Sequence, residues 1–268
     1  MHFADANGGS LRYELSGEGP CLLVLLHEMG GCLESWDEVL PIVGEQFRVL
    51  RFDARGAGLS EKRRSGFGIN DLGNDLVGLL EALHITQPVA LAGCAVGAAT
   101  ALHFAAHAPQ RVLGVVAMAP ATGLVPEKKA GILELAMQFE IQGVRERILQ
   151  RFDHSYPPHY FADPRIRARV RGRLLGNDPF SYAATYRMLC TLDMEADFTK
   201  IRCPVLVIAG QHDTTRPPEV LQQVAKAISD ARFGVIDSGH AMPILSPALV
   251  AREILEFFNG DAFRLPGA

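Results

Sequence analysis

No stretch of this chain is long and apolar enough to cross a bilayer. The strongest apolar run near the N-terminus, Cys21 to Leu26, ends after a strand's length and reads as a buried strand. The residues ahead of it, Met1-His2-Phe3-Ala4-Asp5, lack the basic region and apolar core of a secretory leader, so a cytoplasmic location and no membrane partner are expected. Basic charge is not in excess: 26 Lys and Arg stand against 30 Asp and Glu, a formal net charge of −4. That balance argues against nucleic acid as a partner. Cysteines are few and odd in number, five in 268 residues. Without a leader they are expected as reduced, mostly buried thiols rather than a disulfide framework. No Cys-x-x-Cys spacing occurs and no histidine pairing suggests a metal site. Internal repeats and low-complexity segments are also missing. Apolar residues are plentiful, at 48% against 21% charged, enough for one large domain or a core with an inserted subdomain.

Short apolar segments alternate with helical spacing along the first half. Leu11–Leu15, Cys21–Leu26 and Phe47–Asp53 read as strands, followed by a helix capped by Asn70 with Leu72, Leu76, Leu79, Leu80 and Leu83 at helical spacing. Val89–Gly93 is a strand, Ala95–Ala108 a helix and Val112–Ala119 the next strand. Such alternation implies a mainly parallel central sheet with helices on both faces, an α/β class. From about residue 122 the strand pattern stops. Ile132–Phe139, Val144–Phe152, Arg165–Leu175 and Pro179–Leu189 read as helices, and strands resume at Pro204–Ala209 and Phe233–Asp237. Ser246-Pro247 opens the last helix with a cap residue and a first-turn proline. The expected organisation is a core of residues 1–121 and 199–268 interrupted by a helical cap, 122–198.

The segment Val89 to Ala99 carries Gly93-Cys94-Ala95-Val96-Gly97 between an apolar strand and a small-residue helix. This is the pattern of a nucleophile elbow, a sharp strand-to-helix turn that exposes its middle side chain at the top of a sheet. The flanking glycines suit a turn with no room for Cβ atoms. Here the middle residue is Ala95, whose methyl group cannot attack a carbonyl. Two further strand ends follow in order. Leu206 to Gly210 leads into Gln211-His212-Asp213, offering a carboxylate, and Val235 to Ser238 leads into Gly239-His240, offering an imidazole. The order nucleophile, acid, histidine is that of an α/β hydrolase, in which the acid holds the imidazole and the imidazole moves the proton. Ahead of them, His27-Glu28-Met29-Gly30-Gly31 makes a turn after the second core strand. By position, the Met29 and Val96 N–H groups would form an oxyanion hole.

The sequence at this point resembles the α/β-hydrolase superfamily, and within it the 3-oxoadipate enol-lactone hydrolases. The resemblance spans nearly the whole chain. It rests on His27 to Gly31 with Trp36, Asp53-Ala54-Arg55-Gly56-Ala57-Gly58-Leu59-Ser60, the elbow, Asn177-Asp178-Pro179 with Tyr182, Gly210 to Asp213, and Gly239-His240. It implies an α/β-hydrolase fold with an inserted helical cap and acyl transfer on an ester or lactone through a serine. Asp213 and His240 would support that serine, with no cofactor and no metal. The marks are specific for the fold and weakly specific for the substrate.

Two residues depart from that pattern, Ala95 for the serine and Glu28 for a small residue beside the oxyanion hole. Three accounts stay open. The chain is a Ser→Ala form of a hydrolase. Alternatively Ala95 is native and His240, with Glu28 as a second acid or base, performs non-covalent hydrolysis, lyase or isomerase chemistry. Or the protein is a catalytically silent small-molecule binder. Cys94 reads as a packed small hydrophobe, one place early for attack, and His27 as a structural hydrogen-bonding histidine. Arg165, Arg169 and Arg173 share one helix face, read as solvated, with a substrate carboxylate as the alternative partner. The substrate is expected to be a small molecule, with carboxylate-bearing ones among the candidates, and the protein a monomer or homodimer. Gly93-x-x-x-Gly97 and Gly56-x-Gly58 are incomplete as dinucleotide loops.

Overall fold

The computed structural model describes residues 1–260. Eight strands form one sheet: β1 (His2–Ala6), β2 (Gly9–Ser16), β3 (Cys21–Leu26), β4 (Phe47–Phe52), β5 (Val89–Cys94), β6 (Val112–Met118), β7 (Val205–Gly210) and β8 (Ala231–Ile236). Their spatial order is β1-β2-β4-β3-β5-β6-β7-β8. β1, β2 and β4 pair antiparallel, and every pairing from β4 through β8 is parallel. β1 is a strand that the sequence pattern did not announce. Its residues are mostly exposed, so it carries no apolar run to read.

The helices are α1 (Leu40–Val43), α2 (Ile69–Ala82), α3 (Val96–His107), α4 (Pro126–Gln142), α5 (Arg145–Ser155), α6 (Pro164–Leu175), α7 (Pro179–Thr191), α8 (Glu195–Phe198), α9 (Pro218–Ala227), α10 (Met242–Leu245) and α11 (Pro247–Asn259). Every residue of β3, β5 and β7 is buried, as a parallel sheet covered on both faces requires. α3 packs on β3, β5 and β6 with α2 and α8 beside it, while α11 packs on β6 with α1 and α10 beside it. Two expected caps differ in detail. α2 begins after Gly68, whose N–H donates to Asp71 Oδ2 at 2.8 Å, so Asn70 lies inside the first turn and is not the cap. Ser246 does precede α11, but its hydroxyl donates to the Asp237 carbonyl at 2.9 Å rather than capping the helix. That bond ties the last helix to the end of β8.

Helices α4 to α7 lie between β6 and β7. A bridge between Gly123 and Asp193 joins the two ends of this insertion. The insertion has its own apolar cluster, with Phe139, Ile148, Phe152, Tyr156, Val170 and Leu174 buried together. Ala241 and Leu245, from the segment after His240, belong to the same cluster. The inserted helices are thus seated directly on the loop that carries His240.

The turns at one end of the sheet are held by buried ion pairs. Asp53, at the end of β4, accepts from the Leu33 and Leu59 N–H groups, each at 2.7 Å, and from Arg12 at 3.2 Å. Arg12 also pairs with Glu34. Burial pushes the Glu34 carboxyl up, but hydrogen bonds from Arg12 and Cys32 and the Arg12 charge outweigh it and bring it from 4.5 to about 2. Because the folded value lies below the unfolded one, the stability this group contributes is fully present above pH 4.5 and is lost as pH falls through about 2. Glu34→Gln should therefore lower stability at pH 7, by about 1 kcal/mol once solvent screening of this partly exposed group is discounted. It should also flatten the acid limb of a plot of unfolding free energy against pH. An unchanged acid limb would refute the assignment.

Candidate active site

β5 ends in Cys94, and α3 begins at Val96. The single residue between them, Ala95, has φ 50° and ψ −109°. This is a region that Cβ-bearing residues rarely occupy. The backbone there is fully tied: Ala95 N–H donates to Met118 at 2.9 Å, and its carbonyl accepts from Ala99 and Ala121, each at 3.0 Å. The flanking glycines are required by close approach. A Cβ on Gly97 would sit 2.2 Å from the Leu26 carbonyl oxygen, and one on Gly93 would sit 2.5 Å from the Gly97 backbone. The elbow geometry is therefore built, and its strain is retained with an alanine. Ala95→Gly should relieve that strain and raise unfolding free energy by about 1 kcal/mol, net of the glycine's larger unfolded-state entropy. A denaturant melt in which Ala95→Gly is destabilised would contradict this.

The loops after β7 and β8 are locked together where they leave the sheet. Gln211 N–H donates to Ile236 at 2.9 Å and His212 N–H to Ser238 at 3.0 Å. A Cβ on Gly210 would collide with the Ser238 and Gly239 carbonyls, each at 2.6 Å. This contact delivers Asp213 to His240. His240 Nδ1 and Asp213 Oδ2 are 2.7 Å apart. The other carboxylate oxygen, Oδ1, accepts from the Thr215 and Arg216 N–H groups at 2.7 and 3.0 Å. With Asp213 buried and its oxygens held by three donors, Nδ1 is the nitrogen committed to the carboxylate, which leaves Nε2 as the one that can exchange a proton with a ligand. Arg216 donates onward to the Gly123 carbonyl at 3.0 Å, linking the acid's loop to the neck of the insertion.

Ala95, Val96, Met29, Glu28, Asp213 and His240 all line one cleft of about 750 Å³. Among the described residues, the Met29 and Val96 N–H groups donate to no protein acceptor, which leaves both available to a ligand. The turn that carries Met29 is fixed from below and above. His27 Nδ1 lies 2.7 Å from the Glu28 carbonyl, and its Nε2 accepts from the Ala54 N–H at 2.9 Å, so His27 is a structural brace. From the insertion, Asn177 Nδ2 donates to the Gly30 carbonyl at 2.9 Å. Asp178 caps α7 through the Ser181 N–H at 2.9 Å. Tyr182 rests against Gly30, where a Cβ would lie 2.9 Å from its ring.

Glu28 is 3% exposed. Its Oε1 accepts from the Ser35 hydroxyl at 2.9 Å. Its Oε2 is buried without a hydrogen-bond partner. One oxygen is thus anchored beneath the turn, and the other is an orphan acceptor in a residue that borders the cleft. Cys94 is fully enclosed, and burial, followed by the Glu28 charge, pushes its thiol well up. Its sulfur faces the His240 carbonyl at 3.5 Å. It is therefore packed away from the cleft surface, in line with its place one residue early.

The arginine face of α6 does not reach the cleft. Arg165 pairs with Asp163 at 2.9 Å, Arg173 with Asp37 at 3.1 Å, and Arg169 is exposed. The cleft takes its cap arginines from α5 instead, Arg147 and Arg151. Four-residue spacing next to the apolar Ile148 and Phe152 was the available signal for them. His103 and His107, a His-x-x-x-His pair on α3 passed over in the sequence reading, meet Asp197. Their imidazoles lie 2.7 and 3.6 Å from its carboxylate, which Lys200 also approaches at 3.6 Å. With a half-exposed ammonium already facing it, this group is an ion-pair cluster at the surface edge of α3, away from the cleft.

This sheet, elbow and cleft define a class. The chain belongs to the α/β-hydrolase fold family, whose model matches residues 22–247. Among curated relatives, 3-oxoadipate enol-lactonase 2 of Acinetobacter baylyi is 26% identical over 257 residues, 92% of this chain and 93% of the relative. A soluble epoxide hydrolase of Corynebacterium is 26% identical over 96% of both chains. Among solved structures, the enol-lactonase from Burkholderia xenovorans LB400 superposes with a TM-score of 0.90 at 26% identity, covering 97% of this chain and all of the other. The resemblance to enol-lactone hydrolases is thus matched in both sequence and structure. The same fold serves more than one reaction among these relatives, so hydrolase chemistry follows from the family and the bond cleaved does not.

Proposed function

We propose that this cleft is built to hydrolyse a carboxylic ester or lactone, through a Ser-Asp-His-type site whose nucleophile position is Ala95. The observation that carries the reading is the Asp213–His240 pair, 2.7 Å apart, in the same cleft as Ala95 at its strained elbow. In this reading the substrate carbonyl lies over the Ala95 methyl and its oxygen accepts from the Met29 and Val96 N–H groups. His240 Nε2 takes the proton of the attacking oxygen and returns it to the leaving group. Residues 122–198 act as a cap, holding the substrate from above, on a core of 1–121 and 199–260; residues 261–268, also expected in the core, lie outside the described residues. With a methyl at position 95 no acyl-enzyme forms, and only water activated by His240 can attack. Turnover of the chain as it stands is therefore low. The test is Ala95→Ser, assayed on activated esters and enol-lactones with mass spectrometry of the acylated protein.

A second reading rests on the orphan Glu28 Oε2. A carboxylate beside the oxyanion position opposes a forming negative charge but suits a proton transfer. Under this reading Ala95 is native, and His240 moves the proton with Glu28 as a second acid or base in a non-covalent hydrolysis, lyase or isomerase step. The unaltered chain would then turn over substrate without a covalent intermediate.

A further inference from the structure

Helix α5 presents two arginines to the cleft, Arg147 and Arg151, one helical turn apart. Neither has a hydrogen bond or ion pair among the described residues, and Arg147 Nε is buried without a partner. Elsewhere in the insertion four arginines are paired with carboxylates, while Arg145, Arg169 and Arg171 are exposed and unpaired among the described residues. Arg187 holds Glu140 at 2.6 Å, Arg165 holds Asp163, and Arg167 holds Asp153. What sets Arg147 and Arg151 apart from Arg145, Arg169 and Arg171 is that both line the cleft and that Arg147 buries an unpartnered Nε. Tyr186, also a cleft residue, lies beside both. Burial pushes its hydroxyl up, and the two positive charges oppose that. The cleft's carboxylates, Glu28 and Asp213, sit at its floor and are engaged there by Ser35 and by His240. The cleft thus has an acidic and basic floor where a bond would be cleaved and an unpaired cationic wall on the cap, with Phe139, Phe152 and Tyr156 among the surfaces lining it.

A buried guanidinium nitrogen without an acceptor costs free energy that a bound anion returns, and a planar carboxylate matches the guanidinium fork. We propose that Arg147 and Arg151 form a carboxylate-binding subsite, so that the substrate is an ester or lactone bearing a free carboxylate on an apolar stem. The stem lies among the aromatic residues of the cap, and the carboxylate anchors on α5 while the scissile carbonyl meets the floor. This proposal rests on the ester or lactone reading of the cleft.

Binding to the unaltered chain tests the subsite without needing turnover. Half-esters of dicarboxylic acids of increasing length, such as monomethyl succinate, adipate and suberate, would be titrated calorimetrically beside their dimethyl esters. The expected result is that at least one half-ester binds about tenfold or more tightly than its dimethyl counterpart, with the preference weakened by salt. Arg147→Gln with Arg151→Gln should bring the ratio close to one, while Arg147→Lys keeps part of it. Circular dichroism melts of each variant identify any that fail to fold, and Arg151→Gln alone, at an exposed position, should still reduce the preference. Equal binding of half-esters and dimethyl esters at every length, or a preference that survives the double substitution, would overturn the subsite. Failure of Ala95→Ser to gain esterase activity would instead overturn the reaction while leaving the binding preference in place.

Discussion

Ala95→Ser should convert the chain into an active esterase or lactonase. Loss of a triad nucleophile costs roughly six powers of ten in turnover, with the residual rate coming from the oxyanion hole and binding. The parts that would use a serine are already in place. The elbow holds position 95 at φ 50° with its backbone fully bonded, so no refolding is needed to present an oxygen. Asp213 fixes His240 through Nδ1, leaving Nε2 to accept the serine proton. Small activated esters should then give a burst equal to the enzyme concentration, and intact mass should show the acyl adduct. Adding His240→Ala should remove both. Full restoration is not expected with the Glu28 carboxyl in the same cleft, but a gain of about 10³-fold or more over the unaltered chain is. A variant that stays inert toward esters and enol-lactones, while the unaltered chain proves active, would sink the acyl-transfer reading.

Most of the core was legible because its strands are short, wholly apolar and bounded by chemistry-bearing turns. β3, β5 and β7 were read within a residue of their observed ends, since six consecutive buried positions leave no other interpretation. β1 was not legible, because an exposed edge strand needs only pairing to β2 and carries no burial pattern. The N-terminus of α2 was misplaced by the side-chain preference of Asn70. The fold instead used the extended backbone of Gly68, closed by Asp71. At the site, Ala95, Asp213 and His240 could be named because each sits where a strand ends, and strand ends are visible in sequence. The cap arginines could not be assigned. Which face of α5 or α6 looks inward depends on how α4 and α7 pack around them, and helical spacing alone is the same for Arg165, Arg169 and Arg173 as for Arg147 and Arg151. Nor does the sequence reveal that Glu28 is split between Ser35 and an unfilled acceptor position, since that depends on the turn at Gly31. A Cβ there would lie 2.3 Å from Glu28 Oε1.

Glu28→Gln should change activity in opposite directions under the two readings, which makes it the sharper experiment once Ala95→Ser is in hand. A carboxylate charge close to a forming oxyanion opposes it, by roughly 2–3 kcal/mol for neighbouring groups at an effective dielectric of about 20. In the Ala95→Ser background, neutralising Glu28 should therefore raise kcat on esters by about 10- to 100-fold with little change in KM, because the repulsion acts only once charge develops. The amide can keep the Ser35 hydrogen bond, so the turn beneath the oxyanion position should hold, and an unchanged melting temperature would verify it. If Glu28 instead moves protons in the unaltered chain, Glu28→Gln should reduce that chain's turnover by about 10² to 10⁴-fold, in step with His240→Ala. The sign of the effect thus identifies what the orphan oxygen is for. A rise places it as an opponent of acyl transfer in a site that has lost its nucleophile. A fall places it as the group that replaced that nucleophile's chemistry. No effect in either background would remove Glu28 from the reaction altogether.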